Sequence, residues 1–180
     1  MVFDLTVWAT KLARAKLETA LPRRWAHVQG VVRQASRVAH TLDSRDQLIA
    51  AAWLHDIGYA PDLALTGFHP YGGARFLQQL GVDDRLCALV AHHSAASVEA
   101  RRRGIELEWR DENSTIRDAL WWADMTTTPD GHLTSVESRI DEVRARYGPD
   151  HVVSLSMAEA KPILIEAALR IEAQLGIATR

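Results

Sequence analysis

Two adjacent side chains that can bind a metal ion, His55 and Asp56, stand at the end of a strongly apolar segment. At about 100° per residue in a helix, Leu48, Ala52 and His55 share one face, and Asp56 follows on the adjacent face. A carboxylate buried without a partner is very costly, and a bound cation would remove that cost. The pair therefore indicates a metal site, although a His-Asp dipeptide also occurs at ordinary helix ends.

Five further residues carry ligand atoms and lie in or beside apolar segments. His27 borders the apolar stripe of one predicted helix, and Asp124 borders that of another. His69 opens a predicted helix in which glycines permit close backbone approach. In the pair His92 and His93, His93 falls near the centre of the buried face and is the better candidate, while His92 is either a second contact or a support for a ligand. Each residue alone could be an ordinary core or boundary residue, whereas the whole set is typical of a metal centre.

The elements that must bring these residues together are helices. Apolar residues recur with helical period along almost the whole chain, and no convincing strand alternation or repeat is present. The pattern predicts helices over residues 4–20, 22–42, 44–57, 69–80, 83–103, 114–127, 134–147 and 152–175. Ser44 is the expected N-cap of the third helix, and Pro162 implies a kink or a break in the last one. We therefore predict an all-α, single-domain helical bundle over residues 1–180.

The composition argues against several classes of function. The 180 residues carry 21 basic and 23 acidic side chains, a net charge of -2, which argues against an extended nucleic-acid surface. No segment approaches the roughly 20 apolar residues of a membrane helix, and the first residues lack the pattern of a secretory signal. Cys87 is the single cysteine, so no disulfide can form within the chain, and a core position is expected for its thiol. A soluble cytoplasmic protein is the expectation, and the sequence allows a homo-oligomer.

The residues that carry chemistry resemble a known family. His27, then His55-Asp56 within Ala-Ala-Trp-Leu-His-Asp-Ile-Gly, then Asp124 resemble the H…HD…D signature of the HD superfamily of metal-dependent phosphohydrolases. The segments Phe68-His69-Pro70-Tyr71-Gly72-Gly73-Ala74 and Ala91-His92-His93-Ser94 are similar to the version with extra histidines and two metal ions, as in HD-GYP phosphodiesterases and HD-type diadenosine tetraphosphate hydrolases. The resemblance spans about residues 24–128, and the helices over 134–175 are expected to pack on this motif core.

The resemblance implies a role for each ligand candidate. A first metal would be held by His27, His55, Asp56 and Asp124, and a second by His69 and His93, with His92 as a further contact and Asp56 bridging the two. One or two divalent ions are expected, and iron, manganese, zinc and nickel suit imidazole and carboxylate ligands. Tyr59 stands where many members have a lysine, which puts a phosphate contact at that position in doubt. No GYP element follows the histidine pair, so a cyclic dinucleotide is not assigned as the substrate.

The function predicted from this set is hydrolysis of a phosphoester or phosphoanhydride bond by metal-activated hydroxide. The partner would be a small phosphorylated substrate, preferably a nucleotide. The catalytic residues would be Asp56, His55 and Arg24. The arginine is included because Arg24 or its neighbour Arg23 could stabilise charge on the phosphoryl oxygens. Both arginines could equally be surface charges. Three alternatives are an HD-type di-iron oxygenase, a non-catalytic nucleotide-sensing HD module, and a plain helical bundle with incidental histidines.

Overall fold

The computed structural model describes residues 4–64 and 66–177, and these residues form nine α-helices. In chain order the helices are α1 Leu5–Leu17, α2 Pro22–Ala39, α3 Arg45–Leu54, α4 His69–Gln79, α5 Asp84–Ala91, α6 Ala96–Arg103, α7 Thr115–Met125, α8 Val136–Tyr147 and α9 Val152–Gln174. A 3₁₀ turn, Ile57–Tyr59, follows α3, and a second, His93–Ala95, precedes α6. Within the described residues, extended backbone pairs only in a single antiparallel bridge between Thr127 and Leu133. The predicted all-α fold is confirmed.

Helix α3 lies at the centre of the fold and packs against α1, α2, α5 and α7. Its residues Leu48, Ala51 and Leu54 have no exposed surface. The helix is apolar on all sides after its first turn, which is typical of a helix surrounded by others. Its C-terminal end therefore lies inside the protein, and it carries His55 and Asp56 into the interior.

The helix boundaries follow local signals in most places. Pro22 occupies the first turn of α2, as predicted, and Ser114 caps α7 by accepting a hydrogen bond from the Arg117 amide. Ser44 stands at the N-cap position of α3, as predicted. Its side chain makes no capping hydrogen bond, because the hydroxyl accepts a hydrogen bond from the Arg85 guanidinium at 2.9 Å instead. A long-range contact here takes the place of a local one.

The segment predicted as one helix over residues 83–103 is divided into α5 and α6. The backbone turns at Ser94 (φ 49°, ψ 42°) and Ala95 (φ 58°, ψ 33°), both in the left-handed region that residues with a Cβ atom rarely adopt. Such conformations persist where the surrounding structure holds them, and they are concentrated at functional sites. The break redirects the chain directly after His93.

The C-terminal helices pack on α7, which contacts both α8 and α9, and on α6, which contacts α9. Helix α9 runs through Pro162 as one element, so of the predicted kink or break at this residue the break is wrong. Cys87 has no exposed surface, which confirms its expected core position. Across residues 4–64 and 66–177, no helix combines the length and apolarity needed to cross a membrane.

Candidate metal centre

The centre is built around the end of α3. His55 is the C-cap residue of that helix and is fully buried, and Asp56 follows it with 3% of its surface exposed. The ring of His55 donates from Nδ1 to the Ala52 carbonyl at 2.8 Å, which fixes the ring orientation. Its Nε2 lies 3.4 Å from Asp56 Oδ2. Both side chains therefore face the same interior point.

Helices α2 and α7 supply His27 and Asp124 to this point. His27 Nε2 lies 3.0 Å from Asp124 Oδ1 and 3.6 Å from Asp56 Oδ2. His55 Nε2 lies 3.9 Å from the same Asp124 oxygen. Four residues from three separate helical segments thus converge, as the sequence resemblance implies for a first metal position.

The second group lies on the other oxygen of Asp56. His69 Nε2, at the start of α4, is 3.2 Å from Asp56 Oδ1, and His93 Nε2 is 3.7 Å from it. The two Nε2 atoms are themselves 3.1 Å apart. Oδ2 of Asp56 therefore faces His27 and His55, while Oδ1 faces His69 and His93. This arrangement is what a carboxylate shared by two ions requires.

His69 reaches Asp56 because Gly58 lets two backbone segments meet. A Cβ atom at Gly58 would stand 2.0 Å from the His69 carbonyl oxygen and 2.7 Å from the Gly73 nitrogen. No side chain fits in that space, so a glycine is needed for the 3₁₀ turn to pack against α4. The sequence predicts close backbone approach at Gly72 and Gly73, and Gly73 does approach Gly58, but the glycine that the contact requires is Gly58, which that prediction did not include.

The donor set fits a divalent metal. Three of the rings donate from Nδ1 to a main-chain carbonyl: His27 to Thr128, His55 to Ala52 and His93 to Val90. A carbonyl only accepts, so each Nδ1 carries a proton and each Nε2 is directed at the cluster, as in metal sites whose histidines are oriented by main-chain acceptors. His55 Nε2 is buried and forms no hydrogen bond with any described residue. An ion would supply the missing partner, and imidazole with carboxylate suits iron, manganese, zinc or nickel.

The charges of the cluster shift the pKa values of its members in opposite directions. Burial opposes ionisation of Asp56, but the Arg24 guanidinium and His55 outweigh it and hold the pKa of Asp56 well below its usual range. Burial also opposes the charge of His55, yet Asp56 and Asp124 raise its pKa to about 9. A metal that binds His55 must displace a proton at neutral pH.

The second histidine pair behaves differently. Burial, with repulsion from His69 and His55 in their protonated forms, lowers the pKa of His93 to about 3. Burial likewise lowers the pKa of His69. Both rings are neutral at pH 7, so each can present a lone pair to an ion without first losing a proton.

An open cavity adjoins the cluster. It has a volume of about 340 Å³, and Asp56, His69, His93 and Asp124 line it together with Arg24. This volume falls at the lower end of the range found for small-molecule sites. The candidate ligands are therefore accessible to a small substrate.

Arg24 is held in the cavity by two contacts. It donates to Asp56 Oδ2 at 2.7 Å, and its guanidinium carbon lies 4.0 Å from the centre of the Tyr59 ring. The Tyr59 ring also stacks on His69, at 3.9 Å between ring centres. Tyr59, which stands where related motifs have a lysine, thus lies between Arg24 and His69.

Two sequence candidates are not brought to the cluster. His92, suggested as a further metal contact, directs its Nε2 at the Trp109 carbonyl, 2.7 Å away, and is not among the residues whose ligand atoms cluster around Asp56. Arg23, the alternative to Arg24, is exposed and pairs with Asp130 at 2.8 Å. Of His92 and His93, only His93 faces the site, and of Arg23 and Arg24, only Arg24 does.

Sequence reasoning missed several residues of the site. The Ser94 hydroxyl donates to Asp124 Oδ2, and this contact depends on the unusual backbone at Ser94. The sequence marks Tyr59 only as a departure from a motif, whereas its ring contacts both Arg24 and His69. Arg139 and Arg146 line the cavity from α8, outside the motif region. The position of Ser94 directly after two histidines was the one available signal, since the arginines look like ordinary polar-face residues.

These observations define the class of the protein: an all-α fold with a buried imidazole and carboxylate centre suited to divalent metal. Residues 24–129 match the HD domain family. Because the match covers more than half of the 180 residues, the chain belongs to this family.

A comparison with curated proteins finds one further similarity. Over 86 residues the chain is 33% identical to the tRNA (cytidine(56)-2'-O)-methyltransferase of Picrophilus torridus. The aligned part covers 46% of this chain and 25% of that protein, so the chain spans about a quarter of the length of this relative. No solved structure matches the chain.

Proposed function

We propose that this protein is a metal-dependent phosphohydrolase that cleaves a phosphoester or phosphoanhydride bond of a nucleotide or another small phosphorylated metabolite. One observation carries the proposal: Asp56 presents its two oxygens to two separate histidine pairs at the wall of an open cavity. A centre with a shared carboxylate suits two ions that clamp the attacking and leaving oxygens of a displacement at phosphorus.

The chemistry needs an activated water and positive charge near the phosphoryl group. When bound, divalent ions lower the pKa of water toward about 7 and neutralise phosphoryl oxygens. Overall, water adds a hydroxyl group to phosphorus, the bond from phosphorus to the leaving oxygen breaks, and the second proton of the water goes to the leaving group. No oxidant or other reactant is required.

The residues of the chain supply position and charge for this reaction. Arg24 is 19% exposed at the cavity and can donate to the equatorial oxygens of the phosphoryl group as their charge grows. Tyr59 supports the Arg24 guanidinium, and Ser94 orients the Asp124 carboxylate. The main-chain acceptors of His27, His55 and His93 hold their rings in place before substrate arrives. Such preorganisation is the main contribution a protein makes to this class of reaction.

The proposal does not extend tRNA methylation to this chain. The similarity to the methyltransferase covers a quarter of that protein, and the reaction proposed here rests on the ligand cluster. Net charge provides no support for a large nucleic-acid surface, since acidic residues slightly outnumber basic ones.

The test is phosphate release. Protein purified without chelator is analysed for bound metal, loaded with manganese or iron, and screened against nucleotides and sugar phosphates. We expect release that Asp56→Asn abolishes in a folded protein. Asp62→Asn is the matched control, because Asp62 is exposed and pairs with Lys16 away from the cluster.

Tight metal binding without turnover of any phosphoester would contradict the proposal. Oxygen uptake by the iron-loaded protein would then favour an oxygenase with the same ligands. Nucleotide binding without either reaction would favour a sensing module.

A further inference from the structure

The cavity beside the metal centre is also lined by residues of the C-terminal helices. Arg139, Val143, Arg146 and Tyr147 come from α8, and His151 from the junction between α8 and α9. All of them lie beyond residues 24–129, the part of the chain that matches the family. This wall of the cavity therefore lies outside the part of the chain that matches the family, and its charges affect which substrates fit.

The wall contains more positive than negative charge. Arg139 is only 7% exposed and pairs with Glu142. Arg146 pairs with the same carboxylate, at 3.3 Å, so two guanidinium groups share one counterion. The Nε atom of Arg139 is buried and donates to no acceptor among the described residues. A buried charge is costly unless it is fully paired, and one carboxylate shared by two guanidinium groups leaves this wall with an excess of positive charge.

We propose that Arg139 and Arg146 form a subsite for a second anionic group of the substrate, a phosphate or a carboxylate separate from the phosphoryl group that is cleaved. The inference rests on the proposed function and narrows it to small metabolites with two anionic groups. Arginine suits this task because its planar fork binds phosphate and carboxylate with paired hydrogen bonds. Glu142, whose side chain is 38% exposed, occupies the subsite in the absence of the ligand and can move into solvent.

Binding to the metal-free protein tests the subsite without the metal centre. The chelator-treated full chain is titrated with inorganic pyrophosphate in a calorimeter. We expect Arg146→Gln to weaken binding about tenfold or more, since it removes a charge-assisted contact. Glu142→Gln is expected to strengthen binding, because it removes the competing carboxylate. Arg101→Gln is the control, because Arg101 is an exposed arginine that pairs with Glu159 and does not line the cavity.

Arg139→Gln provides a second measurement if this variant folds. The test does not depend on its folding, because Arg146 is partly exposed and Arg146→Gln removes no buried side chain. The subsite is refuted if the wild type does not bind pyrophosphate at millimolar concentration. It is equally refuted if Arg146→Gln and Glu142→Gln both bind like the wild type.

Kinetics separate this inference from the proposed function. The manganese-loaded protein is compared on fructose 6-phosphate and fructose 1,6-bisphosphate, and on glycerol 3-phosphate and 3-phosphoglycerate, which distinguish a second phosphate from a second carboxylate. A lower KM for one doubly charged substrate, lost in Arg146→Gln with kcat within about twofold, supports the subsite. Hydrolysis without any such preference overturns the subsite and leaves the phosphohydrolase standing. Arginine-dependent pyrophosphate binding without hydrolysis of any compound overturns the phosphohydrolase and leaves the subsite standing.

Discussion

Gly58→Ala should damage one half of the metal centre through the backbone alone. The new Cβ atom would stand 2.0 Å from the His69 carbonyl oxygen, whereas real contacts of this kind are essentially never below 3.0 Å. The 3₁₀ turn and the start of α4 must therefore separate by about 1 Å. Metal sites tolerate deviations of about 0.2 Å in ligand distance, so His69 would no longer reach an ion that His93 and Asp56 hold. Overpacking of this kind also destabilises a protein by about 1–3 kcal/mol.

The assay is metal content per chain together with denaturant unfolding of the metal-free protein. We expect Gly58→Ala to lose about one of two bound ions and to unfold more readily. Gly72→Ala is the matched control, because Gly72 lies in the same region and its added Cβ would meet the Leu63 carbonyl oxygen at 3.0 Å, which a small shift relieves. If Gly58→Ala retained full metal content and wild-type stability, the reasoning that links Gly58 to the position of His69 would be wrong.

Two further predictions concern single side chains. Tyr59→Phe keeps the aromatic ring that contacts Arg24 and should retain near-normal kinetics. Tyr59→Leu loses the ring and its cation–π contact of about 0.5–2 kcal/mol, so it should raise KM for a phosphoester about 2- to 30-fold. Equal behaviour of the two variants in steady-state assays would contradict this role. Burial and the nearby Asp83 and Asp84 raise the pKa of the Cys87 thiol to about 11. Alkylation of the folded protein should therefore be slow at pH 8 and increase about tenfold per pH unit up to pH 10, as the thiolate fraction grows, whereas a plateau near pH 9 would indicate an ordinary thiol.

The sequence was most informative where the pattern and the local structure agree. Apolar residues on all sides of α3 predict a central helix, so the burial of His55 and Asp56 follows from composition and helical period. The convergence of His27 and Asp124 on the same point is a long-range property, and only the resemblance to a family predicted it. Periodicity alone assigns each of these residues to a helix face but does not say which faces meet.

The errors have a common physical cause, which is tertiary structure overriding local preference. Ser94 and Ala95 adopt left-handed backbone conformations that neither residue type favours, so no local signal marks the division between α5 and α6. That division directs His93 toward Asp56 and leaves His92 bound to the Trp109 carbonyl. The hydroxyl of Ser44 pairs with Arg85 across the fold and not with its own helix.

The most direct test of the account is anomalous diffraction from crystals of the manganese-loaded protein. We predict two peaks, one beside the Nε2 atoms of His27 and His55 and one beside those of His69 and His93, with Asp56 between them. In Asp56→Asn both peaks should weaken, since this carboxylate serves both positions. Absence of metal from the cluster, or a strong site elsewhere on the molecule, would contradict the account.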